Sequence, residues 1–217
     1  MIIAIDGPAA SGKSVTAKKV AEELGFMHLN TGSMYRALTL HFLELNVDIN
    51  NEKDILKALD SIEIRFDSED PNKIFLNDKD VTLNIRSNSV DLNVSKVSAV
   101  RSVRQKLVEQ QRKIANNINI VIEGRDIGTH VFPMAQFKFF LIADIEVRAK
   151  RRYEDVSDIN KNFDQILNDL IKRDKYDRNR SYSPLTKADD AIVIDTSKID
   201  IKEQVTRIVN IINNKER

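Results

Sequence analysis

Eight consecutive residues, Gly7-Pro8-Ala9-Ala10-Ser11-Gly12-Lys13-Ser14, follow directly on an apolar run at residues 2–6. They fit the G-x-x-x-x-G-K-[ST] pattern at every fixed position. The glycines let the backbone curl, so that successive N–H groups aim inward at phosphate oxygens. A helix expected to begin there adds the positive end of its dipole. Lys13 supplies a point charge for β- and γ-phosphates, and Ser14 offers a hydroxyl to Mg²⁺. The bland alternative is a glycine turn with an accidental lysine. The strand before it and the helix after it favour a nucleoside triphosphate cradle.

A second set of groups is cationic. Phe163, Ile166, Leu167 and Leu170 form an apolar stripe at helical spacing, and steps of three and four carry it on to Arg173, Asp177 and Arg180. A face that starts in the core thus turns charged; the bland reading is a helix end in water. Arg148, Arg151 and Arg152 share one helical face, where like charges repel unless an anion joins them. Arg36 follows the second expected strand, and Arg125 and Asp126 follow the third. Ligands of open α/β sheets bind beyond the carboxyl ends of the strands, so residues 7–14, 31–36 and 125–126 are expected to converge on one crevice. Arg104 borders an apolar helix face, where it needs a partner or a route to solvent. Guanidinium forks match phosphate oxygens and keep their charge. Phosphoryl transfer asks for that alignment and neutralisation, not for a side-chain nucleophile. His28, His41 and His130 are scattered and read as structural, with neither a triad nor a metal site.

The elements that must position these groups alternate. Short apolar runs at 2–6, 26–30, 118–124, 137–143 and 191–196 read as strands. Helical spacing occupies 14–24, 33–45, the stretch from Val97 to Ile114, both ends of 146–180, and about 201–212. Five strands alternating with helices predict an α/β fold with a parallel sheet. Residues 48–95 differ: they are rich in Asn and Asp, and alternate at 62–66 and 73–77, predicting an inserted subdomain of antiparallel strands. One domain of 217 residues is expected, with 41% apolar residues to fill its core. A net charge of +1 gives no field for nucleic acid or anionic membranes. The lack of cysteine excludes disulfides and thiolate metal sites and suits a reducing cytoplasm. No apolar run is long enough to span a bilayer, and no secretory signal is expected.

Three classes compete for the cradle. A GTPase gains from "TKAD" at 186–189, but that element precedes a strand where it should follow one, and a DxxG switch is missing. A nucleotide sensor needs the cradle alone and has no use for the arginines. A kinase uses both.

The stretches AIDGPAASGKS, LNTGSMYR, VRSVRQKLVEQQR, IEGRDIGTHVFP and RDKYDRNR, the last followed by PL and ADDAIVID, together resemble the bacterial cytidylate kinase family of nucleoside monophosphate kinases. The resemblance runs over nearly the whole chain. It implies a P-loop fold with a core at 1–47 and 96–217, a CMP-binding insertion at about 48–95 and a helical lid at about 148–165. It implies transfer of the ATP γ-phosphate to CMP or dCMP with Mg²⁺, in the cytoplasm, by a monomer; a kinase of the same fold acting on another base, such as UMP, is the alternative. Gly7, Pro8, Ala9, Ala10, Ser11, Gly12, Lys13, Ser14, Val15 and Arg151 would bind ATP, with Ser14 on the metal. Thr31, Arg36, Arg125 and Arg180 would hold the acceptor phosphate. Ser95, Arg104 and Asp126 would read cytosine, and Arg173 and Asp177 would meet the sugar. Lys13, Arg125, Arg148, Arg152 and Arg180 would act on the moving phosphoryl group. Two positions depart from the family pattern: Asn30-Thr31 stands where Asp-Ser is common, and Glu123 where Asp is frequent.

Overall fold

A computed structural model describes residues 1–67, 70–155 and 162–215. The chain forms two compact units, one built from Met1–Leu29 and the chain from Asn117 onward, the other from Asn30–Asn116.

The first unit is organised by strands β1 (Ile2–Asp6), β2 (Met27–Asn30), β6 (Ile120–Gly124), β7 (Phe137–Ile142) and β8 (Ile192–Asp195), in the order β2-β6-β1-β7-β8. β1 runs parallel to β6 and β7, and β7 parallel to β8. The expected strands are all found, each within two residues of its predicted ends. β1 and β6 are almost wholly buried, as short continuous apolar runs in a covered parallel sheet must be. Helices α1 (Lys13–Leu24) and α8 (Ile201–Lys215) pack together over one side of the sheet. Ala17, Val20, Ile208 and Ile212 meet Ile3, Ile5 and Phe139 there in one core cluster. A smaller cluster joins Ala9 to Ala149 of α6 (Ile145–Asp155) and to Ile166 and Leu170 of α7 (Phe163–Asn179). It seats both helices against the loop after β1. The expected lid spans the junction of α6 and α7, and its residues 156–161 lie outside the described residues.

The second unit carries α2 (Thr31–Glu44), α3 (Glu52–Asp60), an antiparallel sheet of β3 (Ile64–Phe66), β4 (Ile74–Leu76) and β5 (Lys79–Asp80), then α4 (Asn88–Ala99) and α5 (Arg101–Ile114). It contains the whole of the 48–95 stretch, of which residues 68–69 lie outside the described residues. Helix α3 was not expected. Its apolar set, Ile55, Ala58 and Leu59, is too short to stand out in an Asn- and Asp-rich stretch. The helix expected from Val97 is two helices. Val100 takes an extended conformation (φ −67, ψ 128), ending α4 and starting α5.

Candidate active site

The first unit gathers most of the predicted groups around the loop that links β1 to α1. Gly7 lies so close to β7 that a Cβ on it would come within 2.2 Å of the Leu141 carbonyl oxygen. Gly12, left-handed at φ 89, sits at the N-terminus of α1. Both positions therefore require glycine. Behind the loop stands a polar brace. The Thr196 hydroxyl donates to the Ser11 carbonyl (3.0 Å), and the Thr16 hydroxyl donates to Gln204 Oε1 (2.6 Å).

Lys13 is buried, and its Nζ donates to the Pro8 carbonyl at 2.7 Å. Burial drives its pKa well below the usual lysine value; Arg125 and Arg173 push the same way, while Glu123 and Asp6 resist. The Ser14 hydroxyl donates to Glu123 Oε2 at the end of β6 (2.7 Å). Glu123 Oε1 lies 3.3 Å from His28 Nε2 on the neighbouring strand. Val15 is half exposed on the first turn of α1.

The segment after β6 carries Arg125 and Asp126 into a short π-helical turn at Ile127–Val131. Asp6, the last residue of β1, holds that turn, accepting from the N–H groups of Ile127 (2.9 Å) and Gly128 (2.8 Å). Burial pushes the Asp6 carboxyl up to about 7, against the pull of those two donors; the Asp126 charge adds to the rise and Lys13 opposes it.

Helix α7 follows its expected stripe as far as Asp177 and ends at Asn179, before Arg180. Ile166 and Leu170 are buried, and the same face continues with buried Asp174 and Asp177. Arg125 Nε donates to Asp177 Oδ2 (2.9 Å). Burial pushes the Asp177 carboxyl up, but Arg125, Arg173 and Arg180 together outweigh it and hold its pKa below the usual range. Arg180, just past the helix end, reaches Asp126 Oδ1 at 3.4 Å and also donates to the Ser183 carbonyl. Arg173 is half-buried on the same helix.

The three arginines of α6 have separate surroundings. Arg148 is buried; it pairs with Asp174 Oδ2 (2.7 Å) and donates to the carbonyls of Ala9 (3.1 Å) and Ala143 (3.0 Å). Arg151 donates twice to Thr196, to its hydroxyl (3.0 Å) and its carbonyl (2.6 Å). Arg152 is half-buried. The like charges of Arg148 and Arg151 are thus held by protein acceptors on α7 and at the end of β8.

In the second unit, Thr31 is buried at the start of α2, where Asn30 caps the helix by accepting from Ser33 N–H (3.0 Å). Arg36 donates to the Ile85 carbonyl (3.0 Å) and pairs with Asp91 at 2.5 Å. Arg104 is 1% exposed, so it does not snorkel. Its guanidinium donates to the Ser98 carbonyl (3.3 Å) and lies 5.2 Å from the centre of the Tyr35 ring. Ser95 is half-buried on α4.

Sequence reasoning missed Asp6, His28, Asp174 and Thr196. Asp174 was legible: it lies four residues after Leu170 on the same stripe. Asp6 also had a signal, as a carboxylate closing an apolar strand just before the glycine loop. His28 had none, since its partner lies 95 residues away on a different strand. His41 lies beside Ser61 Oγ (3.3 Å) and His130 beside the Tyr182 hydroxyl (3.0 Å). Among the described residues no group of three or more His, Cys, Asp or Glu forms a metal cluster, and no helix is long and apolar enough to cross a membrane. The "TKAD" stretch lies in a loop before β8, as the sequence order required.

Residues 3–214 match the family model described as cytidylate kinase. A cytidylate kinase of Lactobacillus johnsonii is 46% identical over 220 residues, covering 100% of this chain and 96% of that protein. One from Halalkalibacterium halodurans is 47% identical, covering 100% of this chain and 98% of the other. Among solved structures, a shikimate kinase of Bacteroides thetaiotaomicron covers 98% of each chain with a TM-score of 0.51 at 12% identity, a likeness of fold alone.

Proposed function

This chain belongs to the cytidylate kinase family, and from that premise we propose that it transfers the ATP γ-phosphate to CMP or dCMP, giving ADP and CDP or dCDP. The observation that carries the reading is the loop itself, where Gly7 and Gly12 stand at positions only glycine accepts and Lys13 is buried against the Pro8 carbonyl. A buried ammonium is crowded by two arginines and driven toward losing its proton. A chain of phosphates beside it reverses that balance, because each negative oxygen favours the charged form.

The curled loop of residues 7–14 holds the donor phosphates with its N–H groups, and Lys13 meets the charge that builds up in transfer. Arg148 and Arg152 flank the donor from α6. Arg125 and Arg180 neutralise the moving phosphoryl group and hold the acceptor phosphate. Arg125, Arg148 and Arg180 are each already oriented by a named acceptor. Little side-chain freedom is then lost when phosphate arrives. Asp126 accepts from the cytosine amino group. Asp177 accepts from sugar hydroxyls, with Arg173 beside it.

Ser14 and Glu123 fit Mg²⁺: one hydroxyl and one carboxylate make the sparse oxygen set this ion accepts alongside phosphates and water. When bound, Mg²⁺ spreads and neutralises charge across the phosphates.

The test is ADP formation with CMP, dCMP, UMP, AMP and GMP as acceptors. Turnover with CMP and dCMP well above the rest is expected. Equal rates with UMP would overturn the cytosine assignment, and nucleotide binding without turnover would make the protein a sensor.

A further inference from the structure

Two side chains meet Glu123, one through a hydrogen bond and one through a close approach. Its Oε2 accepts the Ser14 hydroxyl at 2.7 Å, and its Oε1 faces His28 Nε2 at 3.3 Å. His28 is 8% exposed and Glu123 3% exposed, on adjacent strands of one sheet. Lys13 is a charged neighbour as well: its Nζ donates to the Pro8 carbonyl, and Glu123 favours its charged form.

A glutamate has one more rotatable bond than an aspartate, so its carboxylate can swing unless something stops it. At this position the swing matters. The Ser14 hydroxyl has a single hydrogen, and giving it to Glu123 turns the oxygen lone pairs outward. A carboxylate free to rotate would let that hydroxyl turn its hydrogen toward the cation instead. The imidazole occupies the side from which Glu123 would otherwise retreat.

The geometry points to His28 as a positioning residue for the Mg²⁺–nucleotide complex: it fixes Glu123, and Glu123 fixes the hydroxyl of Ser14. The inference rests on the phosphoryl-transfer reading of the same loop and deepens it. His28 touches neither nucleotide nor metal. Its effect passes through one carboxylate, as outer-layer partners of metal ligands do.

Isothermal titration calorimetry of ADP, with and without Mg²⁺, separates this role from packing. His28→Leu should weaken ADP binding about tenfold with Mg²⁺, in the range found when such outer partners are lost. Without Mg²⁺ its ADP affinity should match the parent. His28→Gln, whose amide can reach the carboxylate, should restore most of the loss. In a Glu123→Asp background the shorter acid leaves the ring, so His28→Leu should then add nothing. Where the leucine variant does not fold, His28→Asn, too short to reach Glu123, takes its place. The proposal fails if the affinity loss is equal with and without Mg²⁺, or if leucine and glutamine variants differ from the parent only in melting temperature. No acceptor enters the measurement. A protein that failed to phosphorylate CMP would sink the functional reading while this result stood on its own.

Discussion

The Asp6 carboxylate makes stability depend on pH across the physiological range. Its pKa rises from 3.8 to about 7 on folding, chiefly through burial. A group raised in the folded state contributes stability that is fully present below pH 3.8 and is lost as pH climbs through 7. At about 1.36 kcal/mol per unit, the whole swing is about 4 kcal/mol. Between pH 5 and pH 8 about 2.5 kcal/mol of it should disappear. Asp6→Asn is neutral at every pH. It keeps one acceptor for the Ile127 and Gly128 N–H groups and turns an amide toward the other, which costs about 1–3 kcal/mol throughout. Urea unfolding of both proteins without nucleotide, at half-unit steps from pH 5 to 8, gives two curves. Lys13 titrates in both, and its pKa responds to the Asp6 charge, so the difference reports Asp6 together with that coupling. About 1.5 kcal/mol of the swing is already gone by pH 5, so the two proteins should lie close together there, and the parent should fall by about 2.5 kcal/mol relative to Asp6→Asn by pH 8. Curves that stay parallel would refute the assignment, and with it the claim that burial outweighs the two backbone donors.

Lys13→Met should lower kcat by a factor of about 10²–10³, because it removes charge stabilisation in transfer; the nucleotide-free protein should melt no lower than the parent, since a buried and crowded ammonium is gone. A simple loss of melting temperature with kcat intact would contradict both halves. Asp174→Ala should destabilise by about 3–5 kcal/mol, read as a fall in urea midpoint, because it strands the buried Arg148. Asp177→Ala should slow CMP and dCMP by different factors in steady-state assays if its carboxylate meets the 2′-hydroxyl; matched losses would exclude that contact.

The parallel sheet and the glycine loop were legible because their signals are local. An apolar run of five residues followed by a glycine-rich turn and a lysine has few ways to fold. The charged face of α7 was legible for the same reason, since Ile166, Leu170 and Asp177 are spaced by one helix. What escaped depends on groups brought together from afar. Asp6 finds its donors at 127 and 128, and His28 finds Glu123, only once the sheet has formed. The arginines of α6 show a different limit. Spacing placed them on one face, but Arg148 reaches α7 while Arg151 reaches the end of β8. In the second unit, Val100 divides two helices without a proline or glycine, leaving no local mark to read.

The brace behind the glycine loop joins residues 11 and 16 to residues 196 and 204. A ribosome adds about 5–20 residues each second, so roughly ten seconds or more separate the synthesis of the two sides. The loop of residues 7–14 gains this brace only once the segment around residues 196–204 has been made and folded. A nascent chain stalled before β8 would hold every residue of the loop yet lack both hydrogen bonds behind it.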